Sequence, residues 1–409
     1  MKKIEYRELP AWTPGWWALM IGLLVVMAIG LAGALYMETE GHHVTGMTNQ
    51  IVWGIPHVFA VFMIVAASGA LNVASIGSVF GRDAYKPLGR VSGLLAISLL
   101  AGGLCVLVLD LGKPDRLIVA MTHFNITSIF AWNVYLYTGF FVVVGLYLWT
   151  MMDWTKKRFY KPAATLAFLW RLILTTGTGS IFGFLVARDA YSSAVMAPLF
   201  ISMSFVFGLA IFNLILLAVY GGSGRPVSPD VIHRKARLLA LFMAADLYFV
   251  VVQHITAIYW PSRDPVERFI LLDGGIYTWL FWGVQVFLGA VLPMALIYRC
   301  KQVGRGLLRL VSSLAVVGGF AQVYVIVIGG QAWPLELFPG QQISSSFADG
   351  RIHSYVPSAP EIALGLGGIA LVLFLVTLVS TALPFFPQAL GNAEAETPAV
   401  GEAVGQAAE

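Results

Sequence analysis

Ten apolar stretches of membrane-spanning length run through the 409 residues, and nearly all of the charge lies between them. Only 11% of residues are Asp, Glu, Lys or Arg and the mean hydropathy is +0.81, whereas a soluble domain carries about 25% charge. A bilayer core ~30 Å thick takes about 20 apolar residues per helix. No water is available there, so each crossing must satisfy its own backbone hydrogen bonds, and a helix does so. The stretches fall at 16–36, 55–79, 91–110, 129–151, 166–187, 195–220, 237–259, 276–298, 307–329 and 362–384. The expected fold class is an all-α integral membrane protein with ten transmembrane helices, in a membrane domain covering 1–386. The remainder, 387–409, is rich in Ala, Glu and Gly and poor in large apolar side chains, and is expected to be a disordered cytoplasmic tail.

Charge placement gives the orientation, because Lys and Arg next to short loops stay on the cytoplasmic side. With the N-terminus inside, 19 of the 25 Lys and Arg are cytoplasmic, and only Lys113, Arg116, Arg188, Arg263, Arg268 and Arg351 are outside. An even number of crossings then leaves both termini in the cytoplasm. The net charge of +4 is a consequence of this loop bias. No basic stripe or recognition motif points to nucleic acid. The first apolar stretch is too long for a signal-peptide core and reads as a retained helix, with Trp12, Trp16 and Trp17 at the headgroup layer. The two cysteines, Cys105 and Cys300, form neither a disulfide framework nor an iron–sulfur ligand set.

The histidines are unevenly placed. His42, His43, His57, His123, His254 and His353 fall on the outer side of this topology, and only His233 falls inside. Loop histidines such as His42, His43 and His353 read most simply as solvated. His57, in WGIPHVF, and His254, in VVQHITAIYW, lie within apolar spans, where polar groups are costly and mark function by default. The same rim receives Asp110, Lys113, Asp115 and Arg116 from LDLGKPDR, where Gly-Lys-Pro ends the third span and leaves two acids and two bases able to pair. It also receives His123, Asn125 and Asn133 from HFNITSIFAWN, Arg188 and Asp189 after the fifth span, and Gln253, Tyr259 and Trp260 around the end of the seventh.

Such a rim suits a ring with two carbonyl oxygens, held by a histidine and by an Asn, Tyr or Arg, with a long tail among apolar helices. A quinone has that shape. Quinol oxidation releases two protons and needs a base, a task that histidine suits. Asp246 stands deeper in the seventh span, in LFMAADLYFVVVQH, and a carboxylate there is protonated, paired or facing a hydrated cavity. Asp246 and Gln253 share a helix face over about two turns, or ~12 Å of rise out to His254. With Asp189 they form a candidate proton path, for which Thr175, Thr176, Thr178, Ser180, Ser202, Ser204 and Asn213 are possible partners. The plainer role of such hydroxyls is helix packing.

The chain resembles the NrfD-like, or polysulfide reductase, membrane subunits. The carrying segments are WGIPHVFAVFMIVAASGALNVAS, LDLGKPDR, TSIFAWNVYLYTGF and VVQHITAIYW. Within that family the ten spans and HFNITSIFAWN look most like the DsrP type, a subunit of the sulfite-reductase-associated transmembrane electron-transfer (Dsr) complex. The resemblance implies two tandem four-helix bundles, spans two to five and six to nine, flanked by the first and tenth helices. It implies a quinone, menaquinone or ubiquinone, as bound substrate near the outer face, and no haem or iron–sulfur cluster on this chain. Electrons would be exchanged with a periplasmic ferredoxin-like iron–sulfur subunit, beside further cytochrome and iron–sulfur subunits, at a prokaryotic inner membrane. His57 and Asp110 match the family's quinone-side residues; Asn133, His123, Arg188 and His254 are further carry-overs. Two other readings stand beside this one. A secondary transporter would place its binding groups at the midplane, and a b-type cytochrome would use His57 and His254 as axial ligands.

Overall fold

The computed structural model describes residues 4–335 and 350–390. Ten of its helices are long and apolar enough to cross a membrane: α1 (Pro14–Glu40), α2 (Ile55–Ser78), α3 (Asp83–Leu109), α4 (Ile129–Met152), α5 (Tyr160–Gly183), α6 (Met196–Gly222), α7 (Pro229–Ile258), α8 (Ile276–Arg299), α9 (Arg305–Ala332) and α10 (Ala359–Ala382). The chain is an all-α multi-pass membrane protein.

The largest departures from the expected boundaries are at α3, α5 and α7, which begin six to eight residues before their apolar stretches. α7 starts where local chemistry dictates. Ser228 is extended at the cap, Pro229 takes the first helical position and Asp230 sits in the first turn, all favourable at a helix N-terminus. Arg234, Lys235 and Arg237 follow, so this first part is helical without being apolar. As a result Lys235 is buried, its Nζ 4.5 Å from the Phe212 ring centre. Arg171, expected near a cytoplasmic helix end, instead sits halfway along α5 and is 1% exposed.

Burial separates core from lipid-facing helices. In α2, 89% of the apolar window is buried, against 22% in α1 and 28% in α4. α2 packs on α3, α5 and α6; α4 lies against α3 and α5; α6 contacts α7 and α9; and α8 packs on α9 and α7. α1 lies along α10, which also leans on α3 and α2. α2 and α6 meet backbone to backbone. A Cβ at Gly208 would collide with Gly69 and Ala70, and one at Gly69 with the Ser204 carbonyl. Small residues permit this approach, the usual device for helix association in lipid. α8 and α9 each contain a π-helical stretch, Leu280–Val291 and Val325–Gly329, a geometry frequent at functional sites.

The chain ends meet on one side. β1 (Tyr6–Arg7) pairs antiparallel with β2 (Phe386–Pro387), and Leu390 bridges to Val227. The Tyr220 hydroxyl donates to the Pro387 carbonyl at 2.7 Å, and Gln388 N–H to the Glu5 carbonyl at 3.0 Å. Residues 387–390 are held by this backbone pairing and by Leu390, which is 2% exposed in the core. Residues 391–409, the rest of that expected tail, lie outside the described residues.

One buried carboxylate fastens the N-terminal end of α2. Glu361, in the first turn of α10, is fully buried. It accepts from Gly46 N–H, Ser358 N–H and the Tyr355 hydroxyl, each at 2.8 Å. The Tyr355 oxygen in turn accepts from Ile55 N–H at 2.7 Å, one of the unpaired donors of α2's first turn. Burial pushes the Tyr355 hydroxyl well above its ordinary pKa, so it stays protonated and donates. Hydrogen bonds to charged groups contribute about 1.5–3 kcal/mol each. Glu361→Ala is therefore expected to lower stability by at least about 3 kcal/mol, read as an earlier thermal unfolding transition in detergent. An unchanged transition would show that these contacts are dispensable.

Candidate functional site

Where α3 ends, the chain builds a roof. Asp110 caps the helix, its N–H donating to the Val106 carbonyl, and Gly112 turns out of it with φ of +68°. A short turn, Pro114–Arg116, and a six-residue helix, Leu117–Thr122, then lead toward α4. Beneath them lies a cavity of about 600 Å³ between α2, α3, α4 and α5. Most of its wall is apolar, from Val61, Ile64, Leu104, Leu107 and Val134 among others. A few polar groups converge on it: His57 from α2, Asn133 and Tyr137 from α4, Thr178 from α5 and His123 from the roof. A large apolar cavity with few polar groups is the expected form of a site for an apolar ring with a tail.

His57 is oriented on both sides. Its Nδ1 lies 2.7 Å from Oδ2 of Asp110, whose side chain is 1% exposed, although off the line of a straight hydrogen bond. Trp53 stacks on the imidazole, with ring centres 5.9 Å apart and an 18° tilt. With Nδ1 turned to the carboxylate, Nε2 is the nitrogen left for a ligand. Asn133 donates through Nδ2 to the Ile129 and Gly177 carbonyls at 2.9 and 3.0 Å. Its buried Oδ1 has no partner among the described residues. The site thus offers two acceptors, an imidazole nitrogen and an amide oxygen, and these fit the two hydroxyls of a quinol.

The expected rim divides into two separate sites. His57, His123 and Asn133 line the large cavity, with Asp110 directly behind His57. Arg188 does not line it. Its guanidinium donates to the Gln50 carbonyl at 2.6 Å and to the Gln331 carbonyl at 3.2 Å, where a cation suits the end of α9. His254 belongs to the other half of the molecule. It pairs through Nδ1 with Glu267 at 2.6 Å, beside a void of about 40 Å³ that also touches Gln253, Gln285 and Gln322. His57 and His254 thus line separate cavities and do not face each other as an axial pair. The acids and bases after α3 do not pair as expected either: among the described residues Lys113, Asp115 and Arg116 form no ion pair, while Asp110 turns to His57.

Asp246 is buried and accepts from the Ser202 hydroxyl at 2.9 Å. A void of about 10 Å³ beside it is lined by Gln285 and Gln322, the same two amides that line the void at His254. Gln253 accepts from Ser193 at 2.7 Å. No hydrogen bond or ion pair among the described residues joins Asp189 to this column. Of the hydroxyls named from sequence, Ser202 alone bonds Asp246. Thr175 donates to Ser68 Oγ and the Arg171 carbonyl.

Several residues of the site are not apparent in the sequence. Gln331 accepts from Val52 and Trp53 N–H through Oε1, and donates from Nε2 to the Trp53 and Val327 carbonyls. It therefore holds Trp53 over His57 from the far end of α9. Glu267 does not stand out among the charges of RDPVERF. The exposed Arg268–Asp264 pair at 2.9 Å, four residues apart, marks the outer face of that short helix and leaves Glu267 to the inner one. Arg171 gives one hydrogen bond, to Asn72 at 2.9 Å, and lies over the Phe168 and Phe205 rings.

The sequence matches the family described as Polysulphide reductase, NrfD over residues 43–334, which takes in α2 to α9 and both cavities. The chain belongs to the NrfD family. Among curated relatives, this NrfD-family protein is 29% identical over 386 residues to the Hdr-like menaquinol oxidoreductase integral membrane subunit of Archaeoglobus fulgidus, covering 93% of this chain and 96% of that one. It is 23% identical over 404 residues to a subunit of the selenate reductase of Mesobacillus selenatarsenatis, covering 89% and 93%. It is 21% identical over 395 residues to the menaquinone reductase integral membrane subunit of Nitratidesulfovibrio vulgaris, covering 90% and 91%. The matched NrfD region contains every expected site residue, from His57 to His254. Among its described residues no group of three or more His, Cys, Asp or Glu is arranged to hold a metal ion, and both cysteines are free.

Proposed function

We propose that this chain is the quinone-reactive membrane subunit of a multi-subunit respiratory or sulfur-metabolism oxidoreductase, passing electrons between membrane quinol and an iron–sulfur partner. The carrying observation is the apolar cavity of about 600 Å³ at which His57, backed by Asp110, and the unpartnered Asn133 Oδ1 converge. Membership of the NrfD family supports the reading, as do relatives named as membrane subunits of a menaquinol oxidoreductase and of a menaquinone reductase. When quinol binds, His57 Nε2 accepts one hydroxyl proton, Asn133 Oδ1 orients the other hydroxyl, and the apolar wall excludes water around the ring.

The finer features belong to the same proposal. The contacts α2–α3–α4–α5 and α6–α7–α8–α9 each close a ring, which supports two tandem four-helix bundles flanked by α1 and α10. The loop charge bias supports cytoplasmic termini and a cavity that opens to the periplasm, where a ferredoxin-like iron–sulfur subunit would dock, with further cytochrome and iron–sulfur subunits beyond it. Ten spans and the HFNITSIFAWN segment support the DsrP type. The column from Asp246 through Gln322 and Gln285 to Gln253 and His254 supports a proton path in the second half.

The test is binding of a quinol analogue to the detergent-purified chain and to His57→Ala, with folding followed in parallel. Affinity is expected to fall at least about tenfold, the loss of one or two hydrogen bonds at about 1.4 kcal/mol per decade. Undiminished binding by a folded His57→Ala chain would remove the cavity from the reading.

A further inference from the structure

We propose that the histidine-lined pocket beside Asp110 is the proton exit of the quinol site, with His42 and His43 receiving at the aqueous face the proton that His57 passes to Asp110. The inference rests on the quinol reading above and names residues that reading does not use.

A second, more open pocket of about 460 Å³ lies behind Asp110, walled by His42, His43, Thr48, Asn49 and Asp110 itself. Leu111 borders both this pocket and the quinol cavity, so the two are separated by one turn of chain. Asp110 is the residue they share chemically. It meets the cavity through His57, and it forms part of the wall of the outer pocket. Its Oδ1 is buried and has no hydrogen-bond partner among the described residues. A buried carboxylate oxygen left unpaired is costly, and a water drawn from the adjoining pocket would satisfy it.

The histidines are held near it. Thr45 donates to the His42 carbonyl at 2.6 Å, closing the short turn His42–Val44. His42 reaches over Gly112, where an added Cβ would stand 3.0 Å from Nε2. The positive φ at Gly112 and its missing side chain thus let the chain leaving α3 pass beneath the imidazole. His42 is half-buried and His43 exposed. The titratable groups of the two cavities are His57, Asp110, His42 and His43, with His123 and Tyr137 elsewhere on the quinol cavity wall. Lys113, Asp115 and Arg116 follow in sequence but line neither pocket.

The step balances. Oxidation of one quinol breaks two O–H bonds and releases two protons and two electrons, and the electrons leave singly to the iron–sulfur acceptor. The proton of the hydroxyl at His57 goes to Nε2, the imidazolium gives its Nδ1 proton to Asp110, and Asp110 loses it through water to His42 or His43; the proton of the hydroxyl at Asn133 takes the same route once the ring turns that oxygen to His57. A turn of the imidazole restores the acceptor nitrogen before the second passage. Histidine titrates near neutral pH and releases the proton to bulk water.

The test uses the whole complex in its native membranes, oxidising menadiol with ferricyanide as one-electron acceptor, and compares wild type with the double variant His42→Ala, His43→Ala. Menadiol affinity is expected to be unchanged. Turnover in dilute buffer is expected to fall about tenfold, less than the roughly 10²–10⁴ contributed by a base in direct contact with the reacting group. The solvent deuterium isotope effect is expected to rise, and added imidazole to restore the rate. The pair His42→Gln, His43→Gln keeps polarity without proton capacity and is expected to show the same defect if the alanine pair does not assemble. Wild-type turnover, isotope effect and buffer dependence in an assembled double variant would overturn the proposal. A wild-type complex that binds no menadiol would overturn the quinol reading beneath it.

Discussion

Asp110→Asn is expected to slow quinol oxidation by about 10²–10³ while leaving quinol-analogue affinity within about threefold of wild type. On the quinol reading Asp110 acts through His57, whose imidazole it orients and whose Nδ1 proton it receives. The carboxylate 2.7 Å from Nδ1 is an acceptor by nature, so it favours the tautomer with the proton on Nδ1 and leaves Nε2 to accept. An asparagine amide can present N–H instead, which favours the opposite tautomer and places a donor where the quinol hydroxyl needs an acceptor. Binding survives, because a quinol hydroxyl can accept from Nε2–H as well as donate to Nε2, whereas proton removal does not. Measuring turnover and binding on the same membranes separates the two effects. Asp110→Glu, which keeps an acceptor, is expected to recover part of the rate. Equal losses of binding and turnover would assign Asp110 to the shape of the cavity alone.

The other large effect concerns packing. Gly208→Leu is expected to prevent recovery of folded protein. At this position an added Cβ already collides with the backbone of Gly69 and Ala70. Extra methylenes in a packed core cost about 1–3 kcal/mol when side chains can shift; here the obstacle is main chain on a helix whose window is 89% buried, so the cost exceeds that range. Gly221→Leu on the same helix is the control, because nothing lies within 4 Å of a Cβ there. Size-exclusion profiles and thermal unfolding in detergent are expected to show a monodisperse Gly221→Leu chain and an aggregated Gly208→Leu chain. Wild-type behaviour of Gly208→Leu would mean that α2 and α6 can separate without loss.

Number and type of helices were legible because each crossing must be apolar along its whole length to enter lipid, and apolar length is a local property. The starts of α3, α5 and α7 were less legible: their first turns carry charged residues such as Asp83, Lys161 and Asp230, and a hydropathy pattern does not count these as helix. The cavity between α2, α3, α4 and α5 was legible in part. His57 and Asn133 are polar groups in or beside apolar spans, and their cost in lipid draws attention to them. Asp110 could be found because the Gly-Lys-Pro break after it places it at a helix end.

Grouping was harder to read. His254 and Arg188 share the expected face with His57, yet one pairs with Glu267 across a small void and the other holds the Gln50 and Gln331 carbonyls. The hidden contributors have a common physical signature. Gln331, Glu267 and Glu361 are 3% exposed or less, and their partners are backbone groups or side chains brought together by folding. Gln331 and Glu361 act on residues nearly 280 and more than 300 positions away.

By itself, the sequence determined that this is a multi-pass membrane protein with about ten apolar helices, and which few polar residues must be accounted for inside it. These follow from transfer free energies, which each segment meets on its own. The tertiary structure alone decided that His57 and His254 serve different cavities, that Asp110 stands between a large apolar cavity and a histidine-lined pocket, and that α9 holds Trp53 in place. Those outcomes depend on which helices pack together, and that depends on backbone approach at glycines such as Gly69 and Gly208, a property of pairs of helices.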